Sequence, residues 1–183
     1  MFSIPSVAVG SHITLIIGPT ASEKTSQLAH IFRRQRIGKD GIWVMPREKS
    51  DLFPLSDEEK KVMVICDELS HIPSETIATC DFICIDDAQY FYDLLPFCNK
   101  YANAGKAIFV AARNGTPHQT GLLSVNALIP FADHLISLTA DCCICGQTAA
   151  FTTQQLSSSS LSKNVPMCRT CIASKQKKIT CKE

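Results

Sequence analysis

Short apolar runs alternate with helically spaced segments over the first 140 positions. Ile13 to Ile17 is a β-rich run that stops at Gly18-Pro19. From Thr25 to Arg36, Leu28, Ile31 and Phe32 recur at helical spacing. Arg33, Arg34 and Arg36 follow near the C-terminal end, where they suit the helix dipole, and Gly38 and Gly41 end the helix. Ile42 to Met45 and Val62 to Cys66 are predicted as strands, and Asp67 to Thr79, broken by Pro73, as a short helix. Phe82 to Ile85 is a strand ending in Asp86 and Asp87, Leu94 to Ala104 a helix, and Lys106 to Ala112 a strand. Strands alternating with helices predict an α/β fold whose parallel sheet is covered on both faces. Pro46 to Lys61 is polar and loop-like, and its run Asp57-Glu58-Glu59 is expected as a solvated face. After Thr139 the pattern fades. Residues 141 to 183 carry six cysteines, four consecutive serines (Ser157 to Ser160) and little helix or strand signal. The expected division is an α/β domain over 1–140 and a small metal-dependent unit over 141–183.

Composition narrows the class. At 183 residues the chain suits one ordinary domain with a small appendage, and 45% apolar residues supply a core. Eighteen Lys and Arg against 17 Asp and Glu leave a net charge of +1, which argues against a nucleic-acid or membrane surface as the main partner. No apolar run reaches the ~18 residues of a membrane span. Polar Ser11 and His12, with no basic segment, precede Ile13 to Ile17, so no signal peptide is expected and the chain is expected to be soluble and cytoplasmic.

Ten cysteines in such a setting imply reduced thiols or metal. Cys66, Cys80, Cys84 and Cys98 sit among apolar residues and are expected as small buried hydrophobes. Cys142 and Cys145 form one C-x2-C knuckle, Cys168 and Cys171 a second, with 22 residues between them. Four thiolates so spaced suit a structural Zn²⁺ with no open position; the alternative is free thiols in a loose tail. Cys143 has awkward geometry for a ligand, and Cys181 is expected to be unligated.

The first strand runs into Gly18-Pro19-Thr20-Ala21-Ser22-Glu23-Lys24-Thr25 and then a helix. This is the context of a P-loop, G-x-x-x-x-G-K-[ST]. Lys24 would meet the β- and γ-phosphates of ATP, Thr25 the Mg²⁺, and the loop N–H groups the phosphate oxygens. Glu23 stands where the pattern has glycine. Facing phosphate at ~4 Å, its charge would cost about 4 kcal/mol at an effective dielectric near 20. The alternative is a degenerate loop that no longer binds nucleotide. Asp86 and Asp87, after an apolar strand, match a magnesium-associated acid and a general base for an attacking hydroxyl.

In this order and length, the loop, the paired acids and the four cysteines resemble the thymidine kinase family of the cellular and poxvirus type. Cys84-Ile85-Asp86-Asp87-Ala88-Gln89-Tyr90-Phe91 is similar to its G-I-D-E-[GA]-Q-F-F, and Ala102-Asn103-Ala104-Gly105-Lys106 to A-N-A-G-K. Val110 to Thr116 follows V-A-A-L-[DN]-G-T with Arg113 for leucine; Leu138 to Cys142 follows L-T-A-x-C, and Ala149 to Thr152 A-[AS]-[YF]-T. The resemblance implies a P-loop NTPase-like sheet with a zinc-ribbon and lasso unit. It implies transfer of the ATP γ-phosphoryl group to the 5′-hydroxyl of thymidine, with Mg²⁺. Gly18 to Thr25, Asp86 and Gln89 would form the cofactor site, and Asp87 would replace the catalytic glutamate one methylene short. A displacement of ~1 Å there can cost about 100-fold in rate. A homo-oligomer, tetramer or dimer, is also implied.

Departures gather at ligand-facing positions. Thr20 and Ala21 replace Met and Phe of G-P-M-F-[SA]-G-K, and Pro117 replaces the aromatic after G-T. The family's P-F-G reads Gly121-Leu122-Leu123, K-D-x-R has no clear counterpart around Arg47 to Asp51, and Thr153-Gln154 replaces a basic pair. Ser157 to Asn164 stands for I-G-G-x-x-x-Y. Three functions stay open: a nucleoside kinase, a non-catalytic member acting by binding or as an oligomer partner, and a zinc-ribbon nucleic-acid binder. The lysines between Lys175 and Lys178 are the last reading's only support, and a solvated C-terminus explains them better.

Overall fold

The computed structural model describes residues 10–49, 56–156 and 162–180. Asp51, Pro54, Ser157 to Ser160 and Cys181 lie outside the described residues. Six strands form one parallel sheet: β1 (His12–Gly18), β2 (Gly41–Pro46), β3 (Met63–Cys66), β4 (Phe82–Ile85), β5 (Ala107–Arg113) and β6 (His134–Ser137). Their order is β3-β2-β4-β5-β1-β6. Helices α1 (Lys24–Gln35), α2 (Asp57–Lys60), α3 (Ser74–Ala78), α4 (Leu94–Asn103) and α5 (Leu123–Leu128) connect them.

Strand alternation sorts the core into two layers. Ile13, Leu15, Val44, Ile83, Ile85, Ile108 and Val110 face one side, where they meet Leu94 and Phe97 of α4 and Val125 and Leu128 of α5. Ile16, Trp43, Met45, Phe82, Cys84 and Phe109 face the other and meet Leu28, Ile31 and Phe32 of α1. Both faces are therefore apolar, which is why the strands read as continuous apolar runs. Phe32 makes edge contacts with Trp43 at 5.5 Å and Phe82 at 5.6 Å between ring centres. Each such side chain contributes ~1.5–3 kcal/mol on burial. Gly41 is required where β2 starts, because a Cβ there would collide with the Phe82 ring. Cys66, Cys80, Cys84 and Cys98 are buried, as their apolar surroundings predict.

In the acidic run Asp57 and Glu58 are exposed, as expected of a solvated face, and Glu59 departs from it. Ser56 and Glu59 close a capping box at the start of α2. Glu59 is buried, accepting from Arg33 Nε at 2.9 Å and from the Ser56 N–H at 2.8 Å. Burial alone would raise its pKa; the Arg33 and Ser56 bonds outweigh that and hold it below the usual range.

Beyond Leu138 the chain is more regular than its sequence suggests. Strands β7 (Ala140–Asp141) and β8 (Thr148–Ala149) pair antiparallel, as do β9 (Phe151–Leu156) and β10 (Ser162–Met167), and α6 (Arg169–Thr180) comes after them. Ala149, Met167 and Ile172 pack with Cys142 and Cys168 in a core of their own. Among the described residues no helix is long and apolar enough to cross a membrane.

Candidate functional site

The sheet order places β5 between β1 and β4, so the loop after β1 and the acids after β4 rise from the same end of the sheet on either side of β5. At Gly18 a Cβ would collide with Ser22 Oγ and lie 2.9 Å from the Leu138 carbonyl, so the loop's first turn needs glycine. Ala21 and Glu23 both have φ of 60°, in the left-handed region. For a residue with a Cβ that conformation costs roughly 1–2 kcal/mol. The Glu23 carbonyl accepts the Gln27 N–H at 2.9 Å, opening α1. Its exposed carboxylate accepts from Ser26 Oγ at 2.5 Å. The charge thus turns onto the first turn of α1, where the helix dipole favours an anion.

Lys24 is the loop's own cation. Its Nζ donates to the Pro19 carbonyl at 2.6 Å and to Ser22 Oγ at 3.2 Å, while Ser22 Oγ donates to Pro19 O at 2.9 Å. Burial lowers the Lys24 pKa from its ordinary value, and Asp87 and Asp86 oppose that shift. Thr25 Oγ1 donates to Asp86 Oδ1 at 3.2 Å, so the end of the loop and the first acid meet across β5. Asp86 is 4% exposed, and its Oδ1 also accepts the Asp87 N–H at 2.9 Å. Burial first, and the Asp87 charge second, push its pKa up to about 7.

Asp87 sits at φ 46°, again left-handed. Gln89 Nε2 donates to Asp87 Oδ1 at 2.7 Å, and Gln89 Oε1 accepts the Arg113 N–H at 3.0 Å. Gln89 therefore ties the second acid to the end of β5. Arg113 Nη2 donates to the Tyr90 hydroxyl at 3.4 Å. Two cations lie over the Tyr90 ring: Arg113 Cζ at 5.6 Å and Lys49 Nζ at 5.7 Å from its centre.

The loop is also held from the far end of the chain. The Thr20 N–H donates to Thr152 Oγ1 at 2.9 Å, and Thr152, on β9, is 2% exposed. Asn114 Nδ2 donates to the Ala150 carbonyl at 2.9 Å. Neither link, nor the Arg113–Tyr90 pair, has a local sequence signature, since each joins residues far apart in the chain.

Cys142, Cys145, Cys168 and Cys171 present four Sγ atoms within 4.8 Å of one another, with Cys145 and Cys168 at 3.7 Å. A Zn²⁺ with ~2.3 Å bonds to a tetrahedron of sulfurs needs S···S edges of about 3.8 Å, so the donor set fits. The Cys168 N–H donates to Cys142 Sγ at 3.3 Å and draws that thiol down to about 6. Cys145, the first of its sulfur neighbours, helps push Cys171 up to about 12, because crowded thiols resist ionising together without a cation. Cys143 is exposed and outside the cluster.

An ammonium in a loop of backbone N–H groups, a hydroxyl–carboxylate pair and a second carboxylate suit a polyphosphate with a divalent cation and the removal of a hydroxyl proton. A family model described as thymidine kinase matches residues 11–172. The thymidine kinase of Rabbit fibroma virus (strain Kasza) is 30% identical over 145 residues, covering 78% of this chain and 82% of that protein. Those of Monkeypox virus (strain Zaire-96-I-16) and Vaccinia virus (strain Western Reserve) are each 32% identical over 157 residues, with the same coverage. Domain III of the Thermotoga maritima replication initiation protein DnaA covers 70% of this chain and 55% of its own at TM-score 0.44 and 18% identity, a likeness too remote to bear on function.

Proposed function

This chain belongs to the thymidine kinase family, and from that premise we propose that it transfers the γ-phosphoryl group of ATP to the 5′-hydroxyl of thymidine or a related deoxynucleoside. The observation that carries the reading is the Thr25–Asp86 hydrogen bond, which joins the loop to the acid strand where a nucleotide's metal would lie. In this reading the N–H groups from Ala21 to Thr25 cradle the phosphates, the Thr20 N–H being held by Thr152. Lys24 Nζ would leave the Pro19 carbonyl for a β/γ oxygen, and Thr25 and Asp86 are the residues that would hold a Mg²⁺. The ion, when bound, offsets charge on the transferring phosphoryl group. Asp87, oriented by Gln89, accepts the proton of the attacking 5′-hydroxyl as its oxygen bonds to the γ-phosphorus and ADP leaves. The four-cysteine Zn²⁺ site fixes β7–β10 so that Thr152 reaches the loop. A homo-oligomer belongs to the same reading: Leu123, Ile129, Phe131 and Leu135 are apolar and exposed on α5, the turn after it and the edge strand β6.

Calorimetric titration of the zinc-loaded protein with Mg-ATP, repeated on Lys24→Ala, tests this. Binding by the wild type and its loss in the variant are expected. No binding by folded wild type overturns the reading. A second reading is a member that binds without turnover; Glu23 in a left-handed loop position favours it, and Mg-ATP binding without phosphoryl transfer to any deoxynucleoside would decide for it.

A further inference from the structure

Thr152 lies on β9, in the unit that carries the four cysteines, yet its hydroxyl serves the phosphate loop. It is 2% exposed, and its Oγ1 accepts the Thr20 N–H at 2.9 Å and donates to Thr20 Oγ1 at 3.5 Å. The strand beneath it is anchored twice. Asn114 Nδ2 donates to the Ala150 carbonyl at 2.9 Å, and Thr152 stands opposite Pro166 of β10, whose carbonyl accepts the Cys143 N–H at 3.0 Å. Cys143 lies inside the first knuckle, and Met167, next to Pro166, leads into Cys168 of the second. Thr152 is thus one strand pairing away from the backbone of both knuckles.

The bond acts on a single peptide. Pro19 C=O and Thr20 N–H belong to the same trans amide, in which they point in opposite directions. Thr152 takes the N–H on one side. On the other, the Pro19 carbonyl accepts from Lys24 Nζ at 2.6 Å and from Ser22 Oγ at 2.9 Å. The proline ring fixes φ of Pro19, so the amide turns by rotation about ψ of Pro19 and φ of Thr20. With its N–H held from outside the loop, that rotation is blocked and the carbonyl keeps facing the ammonium. We propose that Thr152 is a positioning residue for Lys24: from the cysteine unit it sets the Pro19–Thr20 peptide, and the peptide keeps the ammonium at the loop until a phosphate oxygen takes it over. A free lysine side chain has rotamer freedom to lose when its ligand arrives, and here that loss is met before binding. The proposal rests on the kinase reading only for the ligand that Lys24 meets. The cysteine unit therefore acts on the loop and does more than stand beside it.

The test uses zinc-loaded wild type, Thr152→Val, which keeps the shape without the acceptor, Thr152→Ala, which removes it with less bulk, and Thr152→Ser, which keeps it. Each is titrated calorimetrically with Mg-ATP in the absence of nucleoside, and crystal structures of the nucleotide-free proteins read the position of Lys24 Nζ. Thr152→Val and Thr152→Ala are expected to bind Mg-ATP about 3- to 10-fold more weakly, with Thr152→Ser within about twofold of wild type. In the two weakened proteins Lys24 Nζ should have left the Pro19 carbonyl. Wild-type affinity in Thr152→Val and Thr152→Ala overturns the proposal. So does a weakening that Thr152→Ser shares, or one in which Lys24 stays on the Pro19 carbonyl, since either makes Thr152 a matter of packing alone. If folded wild type ignores Mg-ATP, the kinase reading falls by itself: a Lys24 released in Thr152→Val then retains the tether, and a Lys24 unmoved removes it too.

Discussion

Replacing Asp86 with asparagine should stabilise the magnesium-free protein at neutral and alkaline pH. The Asp86 carboxyl is buried beside Asp87, and its pKa rises from the usual 3.8 to about 7 on folding. A folded-state value above the unfolded one means that the folded protein holds this proton between about pH 4 and pH 7. Its contribution is therefore fully present below pH 4 and is lost as pH rises through 7. At about 1.4 kcal/mol per pH unit, the gap comes to about 4 kcal/mol. Asparagine keeps an oxygen that accepts from Thr25 Oγ1 and the Asp87 N–H, but carries no charge at any pH. Melting curves of wild type and Asp86→Asn, zinc-loaded and without magnesium, should converge towards pH 4 and diverge towards pH 8.5. There the variant should melt roughly 10 °C higher, at about 2–4 °C per kcal/mol for a chain of this size. The difference between the two proteins cancels the titration of the cysteines, which both share. Parallel curves from pH 5 to 8.5 would show that Asp86 is solvated or paired in a way its surroundings do not display. Mg²⁺ should narrow the divergence by binding the wild-type carboxylate, and this shows as a wild-type melting point that rises with Mg²⁺ only above about pH 6.

Two further substitutions probe the loop and the cysteines. Glu23→Gly exchanges about 1 kcal/mol of left-handed strain for the lost bond to Ser26, so stability should move by less than about 1 kcal/mol. Mg-ATP affinity should rise by no more than about tenfold, because the carboxylate already points onto α1. A gain beyond a hundredfold in the calorimeter would show the side chain turning back over the phosphates. Cys168→Ser should take zinc, read by atomic absorption, from one per chain towards none and lower the melting point by more than about 5 °C. A variant that loses its metal and melts unchanged would separate the four sulfurs from the fold.

The elements of the α/β sheet are legible because both of its faces are covered. With helices on each side, Ile13 to Ile17 (Thr14 apart) and Phe82 to Ile85 are apolar on both faces, and such runs stand out without any alternation to detect. The edge strand β6 does not, since His134 and Ile136 are half-buried and Leu135 and Ser137 exposed over only four residues. Strands β9 and β10 are hidden for a related reason: their unit packs on a handful of residues around the cysteines, too few to impose a period. The burial of Glu59 is hidden too, although Ser56-Asp57-Glu58-Glu59 spells a capping box, because its partner Arg33 lies on a distant helix. At the candidate site, spacing alone picks out Lys24, Thr25, Asp86 and the four cysteines. The direction in which Glu23 points, the Gln89 clamp on Asp87 and the Thr152 bond depend on where remote strands come to rest, which no local pattern encodes.

The Thr20–Thr152 bond spans 132 residues and sets an order on how the molecule can come together. β1 lies between β5 and β6, so a chain made from its N-terminus holds that strand without a neighbour until Ala107–Arg113 exists. β2, β3 and β4 can pair long before then. Only after residue 152 has been made can the loop acquire its last tether. The oldest part of the nascent chain is thus among the last to take its final shape, and the long loop closures involved make that a slow step. A chain ending near residue 140 would hold every strand of the sheet and a phosphate loop without its Thr152 tether.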